Sequence, residues 1–261
     1  MELPIYQVDA FTGNLFSGNP AAVCPLVQWL PDTVMQQIAM ENNLAETAFV
    51  VPEDDGYAIR WFTPTVEVDL CGHATLASAW VLFNKTGYSG TTIRFRSLRS
   101  GILTVTRSGE LLTLDFPSDP VTEVVIDEQL TGCFQFEPVR IYRGKSDFLF
   151  EFNSESEIKL LKPVLARIAA LQTRGVIATA PGDTVDMVSR FFGPACGVDE
   201  DPVTGSAHTT LTPFWASRLE KNNLVANQLS ARGGELFCTY RGDRTEISGK
   251  AVLYMQGMLY L

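Results

Sequence analysis

Arg60-Trp61-Phe62-Thr63-Pro64, continuing to Val68-Asp69-Leu70-Cys71-Gly72-His73-Ala74, has a second copy in the same chain. That copy is Arg190-Phe191-Phe192-Gly193-Pro194, continuing through Val198-Asp199-Glu200-Asp201-Pro202 to Thr204-Gly205-Ser206-Ala207-His208. The Arg, Phe, Pro, Val and Asp positions recur after 130 residues and the Gly and Ala positions after 133, so the second copy carries a three-residue insertion at Asp201 to Val203 or nearby. A period of half the chain is too long for a solenoid and predicts two similar halves meeting face to face. A site between them would receive one motif from each, and both histidines of the chain lie in these motifs.

Each motif ends in a segment that reads as a helix. Over 72–83, Leu76, Trp80 and Phe83 share one face while Ala77 and Val81 fill the adjoining stripe; over 205–221, Ala207, Leu211 and Phe214 are in register, with Pro213 expected to kink the helix or mark a restart. A helix apolar nearly all round belongs inside its domain, so only its amino-terminal end reaches the surface. The first turn has unpaired N–H groups and a partial positive charge, which suit an anion, and glycine lets a ligand approach the backbone. Gly72-His73 and Gly205-Ser206 would therefore grip a carboxylate.

Strands are predicted over 4–9, 47–51, 57–62, 91–96, 101–106 and 111–116, with a helix over 32–44. Residues 117–120 are the candidate crossing, after which the order recurs: strands at 139–142 and 148–152, a helix over 155–171, strands at 175–179 and 186–192, and glycine-punctuated strands from 228 to 261.

With 19% charged and 46% hydrophobic residues and no low-complexity tract, the 261-residue chain reads as a soluble globular protein. Its net charge of −10 and lack of a basic, aromatic-interleaved patch argue against nucleic acid as a partner. No secretory signal precedes Pro4, and the longest apolar run is too short for a bilayer, so no membrane partner is expected. The five cysteines are scattered without zinc-site or disulfide spacing, which fits a reducing cytoplasm. Two histidines without HExxH or CxxC leave no expected metal.

Four segments in order carry a resemblance: Phe16-Ser17-Gly18-Asn19-Pro20-Ala21-Ala22-Val23, Asn43-Leu44-Ala45-Glu46-Thr47-Ala48-Phe49, the stretch from Arg60 to His73, and Asp201-Pro202-Val203-Thr204-Gly205-Ser206-Ala207. They resemble the signature segments of the phenazine-biosynthesis (PhzF-like) isomerase family, and the resemblance runs from Ile5 to near Leu259. It implies the α+β diaminopimelate-epimerase-like fold, with two pseudo-symmetric halves, each a curved β-sheet wrapped around a central α-helix. Residues 1–118, joined by the carboxy-terminal strand 251–261, would form one half and residues 119–250 the other. The resemblance also implies a cofactor-free active site in the cleft, a small carboxylate-bearing substrate and a homodimer.

Carried over by position, Glu46 matches the acid/base that moves a proton between carbons of the substrate. His73, Asp201 and Ser206 match side chains that bind and polarise the substrate or assist proton movement. Gly72 and Gly205 match the helix ends that receive its carboxylate, and Asn19 matches a loop residue bordering the site. The apolar neighbours Leu44, Ala45, Ala48 and Phe49 are expected to desolvate Glu46 and raise its pKa. Asp201 and Ser206 also fit turn and capping roles.

Cys71 departs from the symmetric pattern. Epimerases and racemases of this fold place a cysteine before each glycine, whereas here Thr204 precedes Gly205, and a threonine hydroxyl has no accessible deprotonated form near neutral pH. Cys71 then reads as a packing residue, with a Cys71-dependent epimerase and a non-catalytic ligand- or protein-binding module as the alternative functions.

Overall fold

The computed structural model describes residues Met1–Leu261. They form two compact units, one of Met1–Asp115 with Ser248–Leu261 and one of Phe116–Ile247. The first contains β1 (Glu2–Ala10), β2 (Asn19–Pro25), α1 (Asp32–Asn42), β3 (Glu46–Glu53), β4 (Gly56–Phe62), β5 (Glu67–Val68), α2 (Gly72–Lys85), β6 (Thr92–Ser97), β7 (Gly101–Ser108) and most of β8 (Leu111–Pro117). The second contains β9 (Thr122–Val124), β10 (Arg140–Arg143), β11 (Asp147–Glu151), α3 (Glu155–Leu160), α4 (Leu165–Ala169), β12 (Gly175–Pro181), β13 (Met187–Gly193), β14 (Val198–Asp201), α5 (Gly205–Leu219), β15 (Asn223–Gln228), β16 (Gly234–Tyr240) and most of β17 (Arg244–Gly249). The chain then returns to the first unit as β18 (Ala251–Tyr260), which pairs antiparallel with β1.

The duplication reaches the strand pairings. In the first unit β1–β2 is antiparallel, β2–β3 parallel, β3–β4 and β4–β5 antiparallel, β4–β6 parallel across α2, and β6–β7 antiparallel. The second unit runs the same series: β10–β11 antiparallel, β11–β12 parallel, β12–β13 and β13–β14 antiparallel, β13–β15 parallel across α5, and β15–β16 antiparallel. This is the α+β fold the sequence predicts.

Both motif helices are buried, and most of their polar side chains find partners inside. In α2, Thr75 and Ser78 hydroxyls donate to the carbonyls four residues back, and Ala74, Leu76, Ala77, Ala79, Val81 and Leu82 supply apolar surface against β1, β2, β3, β7 and β18. In α5, Thr212 donates to the His208 carbonyl and the Trp215 indole N–H to Thr179 Oγ1. Such partners are needed, since an unpaired buried polar group costs about 1–3 kcal/mol.

The structure departs from the sequence reading at both prolines. No single helix spans 155–171: α3 ends at Leu160 and α4 starts at Leu165, because Pro163 lacks an N–H and forces its predecessor out of helical geometry. Pro213, by contrast, neither interrupts α5 nor restarts it. The missing hydrogen bond to the Thr209 carbonyl is replaced by the backbone N–H of Asp119, 3.0 Å away.

The insertion also moves. Arg60 grips Glu67 through Nε (2.7 Å) and Nη2 (2.8 Å), and Arg190 grips Glu200 through the same atoms at the same distances. Each guanidinium also lies over the phenylalanine two residues on, Phe62 and Phe192. Arginine and glutamate are seven residues apart in the first copy and ten in the second. The three extra residues therefore precede Glu200, in the 3-10 turn Pro194–Cys196 and its exit, rather than following Asp201.

Candidate active site

Glu46 opens β3, just after Asn43 ends α1 in the left-handed conformation. Its register partner across the parallel pair is Ala21, which puts Asn19, the first residue of β2, nearby on the adjoining strand. Gly18 sets that entry: its φ is +70°, and a Cβ there would overlap the Ala10 carbonyl oxygen. Asn19 is thus a fully buried strand residue, not the loop residue expected, and its side-chain amide nitrogen lies 3.2 Å from His73 Nδ1.

His73 occupies the first turn of α2 after Gly72, and no side chain caps that end. Its Nε2 lies 3.0 Å from Glu46 Oε2. Oε2 is buried and accepts no well-aligned hydrogen bond, so what solvent reaches of this side chain, 17% exposed, is not Oε2. Cys71 Sγ is 3.5 Å from His73 Nδ1 and within 4.8 Å of a Glu46 carboxylate oxygen. Cys71 therefore lies in the cluster, against both other members.

The electrostatics correct one expectation. Burial does push the Glu46 carboxyl upward, but the neighbouring His73 charge and the His73 and Cys71 side chains outweigh it, so its pKa lies below the ordinary carboxylate value. Burial disfavours charge on His73, yet its Cys71 and Glu46 neighbours more than offset this and hold it well above 6.5. Burial and the Glu46 charge push the Cys71 thiol to about 11. The Glu46 carboxylate and the His73 imidazole thus favour each other's charged form, beside a Cys71 thiol that burial keeps protonated. Glu46, Cys71 and His73 each offer a metal-ligating atom, all within 4.8 Å of one another.

In the second unit, Asp201 ends β14, and its Oδ2 accepts from Thr204 Oγ1 at 2.6 Å. Gln228 locks Thr204 from the other side: its Oε1 accepts from the Thr204 N–H (2.8 Å) and its Nε2 donates to Thr204 Oγ1 (3.1 Å). The threonine proton is thus committed to Asp201. Gly205 begins α5, again with no side-chain cap, and Ser206 Oγ accepts from Arg174 Nη1 at 2.7 Å. Arg174 is held by Asp147 through Nε–Oδ1 (2.9 Å) and Nη2–Oδ2.

Asn19, Glu46, Gly72 and His73 thus come together in the first unit, and Asp201, Gly205 and Ser206 in the second. Sequence reasoning missed Gln228 and Arg174, which join the motif only through tertiary hydrogen bonds. Thr204 in place of cysteine was the one visible signal of the asymmetry.

Comparison with known proteins places these sites in context. Residues 8–257 match the family model described as phenazine biosynthesis-like protein. An uncharacterized isomerase of Pseudomonas aeruginosa is 52% identical over the full length of both chains. The crystal structure of a phenazine biosynthesis protein of the PhzF family from Enterococcus faecalis is 46% identical, covers all of both chains and superposes with a TM-score of 0.97. A predicted epimerase from Pseudomonas aeruginosa, 18% identical over 99% of both chains, shares the fold with a TM-score of 0.77. The chain belongs to the phenazine biosynthesis-like protein family.

Proposed function

We propose that this member of the phenazine biosynthesis-like family is an isomerase that needs no metal or organic cofactor. It moves a proton between carbons of a small carboxylate-bearing substrate, with Glu46 as the acid/base. The observation that carries this reading is the buried Glu46–His73 pair at 3.0 Å, set against a second unit whose corresponding position holds no proton carrier. Thr204, the counterpart of Cys71, is fixed between Asp201 and Gln228. A racemase that works by two opposed bases lacks its second base here, so the group that removes the proton also returns it.

The lowered pKa makes Glu46 a modest base and, once protonated, a strong acid, so proton return is the easier step. Removal is helped by His73, whose positive charge stabilises the negative charge that develops on the substrate. Uncapped N–H groups at Gly72 favour a substrate carboxylate. The Cys71-dependent epimerase is the weaker reading, because a thiol at about 11 has almost no thiolate at neutral pH.

The test is deuterium incorporation in D2O, read by mass spectrometry over a set of unsaturated, α-amino and α-hydroxy carboxylates. Glu46→Gln keeps size and hydrogen bonding but cannot accept the proton, so labelling of the accepted substrate drops at least about a hundredfold, while Cys71→Ser keeps most of it. Near-native labelling by the Gln variant would sink the assignment.

A further inference from the structure

The duplicated register identifies what the second unit carries where the first carries Glu46. Glu46 pairs with Ala21 and its neighbour Thr47 with Phe62; Gly175 pairs with Asp147 and its neighbour Val176 with Phe192. Gly175 is therefore the structural counterpart of Glu46, Arg174 of Ala45, Asp147 of Ala21 and, by the motif spacing, Ser206 of His73. A side chain at Gly175 is excluded, because its Cβ would overlap the Phe191 ring edge and stand 2.8 Å from the Phe192 carbonyl oxygen. The ring that fills this space supports the Arg174 guanidinium, whose centre is 5.2 Å from the ring centroid. Asp147, only 2% exposed, holds two of its nitrogens.

From this geometry we propose that Arg174 is a positioning residue, one that turns the Ser206 hydroxyl proton toward a carboxylate of the substrate; this rests on the reading of the protein as a carboxylate isomerase. A guanidinium has five N–H donors and no lone pair, so in the 2.7 Å contact Ser206 Oγ must be the acceptor. The hydroxyl has one proton, which then points away from Arg174. Ser206 is half-buried and makes no other side-chain hydrogen bond, so that proton is available to a ligand.

Burial disfavours the guanidinium charge, but Asp147 more than compensates, so Arg174 stays charged at any working pH. With one Ser206 lone pair taken by Arg174, the hydroxyl proton is left to be donated. The fixed Arg174 charge polarises the Ser206 hydroxyl, so a charge-assisted bond to an anionic oxygen is stronger than one to a neutral amide oxygen, and the same charge repels an ammonium. Within the second unit, then, Arg174 and Ser206 orient an anion.

The experiment is a titration of 15N-labelled full-length protein with acetate, acetamide serving as the neutral control, followed by the Gly205 and Ser206 amide resonances. Acetate should shift and saturate these resonances in the wild type, and acetamide should not. Arg174→Ala and Ser206→Ala should each weaken acetate binding about tenfold or more. The double variant should bind no more weakly than either single variant, because both remove the same hydrogen bond. Arg174→Lys, which keeps the charge but not the fork, should fall between.

Stability alone cannot imitate this pattern, since Ser206→Ala leaves the Arg174–Asp147 ion pair intact. If Arg174→Ala does not fold, Arg174→Lys and Ser206→Ala carry the test. The proposal is overturned if acetate does not move the Ser206 resonance in the wild type, if the arginine variants bind within twofold of wild type, or if the two effects add. Glu46→Gln should leave the titration unchanged, so a failure here is distinct from a failure of proton transfer, which deuterium incorporation reads.

Discussion

His208 gives the sharpest quantitative test, because its protonation state is fixed by two contacts. It is fully buried in α5; its Nδ1 lies 2.9 Å from the Thr204 carbonyl and its Nε2 has no partner. A carbonyl only accepts, so Nδ1 carries the proton and Nε2 is a bare lone pair. A second proton would place an unpaired charge in the interior, and burial accordingly pushes the pKa from 6.5 down to about 4, against the smaller opposing effect of the Thr204 bond. The unfolded chain takes up this proton near pH 6.5 and the folded chain only near 4. The stabilisation is thus complete above 6.5 and is lost as pH falls toward 4, by about 3 kcal/mol at a slope of about 1.4 kcal/mol per pH unit. Urea unfolding at pH 7, 6, 5 and 4 measures it against His208→Gln, which can still donate to the Thr204 carbonyl but cannot ionise. Carboxylates titrate in both proteins and cancel in the difference. Parallel stability curves for the two proteins across this window would refute the argument.

His73 should behave oppositely: its raised pKa gives stability that is full below 6.5 and is lost as pH rises through the folded value, and His73→Gln should abolish that alkaline decline in urea unfolding. The same pair predicts a bell-shaped pH dependence of turnover, with the acid limb below the ordinary carboxylate value and the alkaline limb well above 6.5; kcat/KM against pH checks it, and a rise between pH 5 and 7 would contradict the Glu46 assignment. Iodoacetamide at pH 7.5 should label one thiol per native chain, Cys196, because the other four cysteines are buried, and mass spectrometry locates the adduct. Gly175→Ala should destabilise the protein by about 1–3 kcal/mol, because Phe191 must yield to the new methyl group. Denaturant midpoints report the change.

What the sequence made legible was what repeats locally. The helix over 72–83 was found at Gly72–Lys85 because its run of small and apolar residues has a clear period. The strand Asn19–Pro25 was hidden behind turn-forming residues, Ser17 to Pro20, and two-residue β5 is too short to show a period. Pro163 and Pro213 look alike in sequence, yet one breaks a helix and the other does not. The difference is the Asp119 N–H at the orphaned Thr209 carbonyl, which comes from 90 residues away in the chain. The same limit hid the site's electrostatics. Desolvation of Glu46 could be anticipated from its apolar neighbours, but the larger combined effect of His73 and Cys71 requires knowing that residues 25 or more positions away meet its carboxylate. Arg174 was invisible for the same reason, with Asp147 27 residues before it and Ser206 32 after.

The two units keep one scaffold and differ in chemistry at a few positions. The arginine–glutamate clamp, the order of pairings and the uncapped helix ends are common to both, whereas Glu46, Cys71 and His73 are answered by Gly175, Thr204 and Ser206. A single exchange would not restore symmetry. A thiol at position 204 would sit beside the Asp201 carboxylate with no imidazole to offset it, so its pKa would rise further from the useful range. A histidine at 206 would meet the Arg174 guanidinium, which disfavours a second positive charge. A glutamate at 175 has no room beside Phe191. The asymmetry is thus fixed by packing as well as by residue identity. Each unit is thus locked by its own packing into its own chemistry, Glu46, Cys71 and His73 in the first and Arg174, Thr204 and Ser206 in the second.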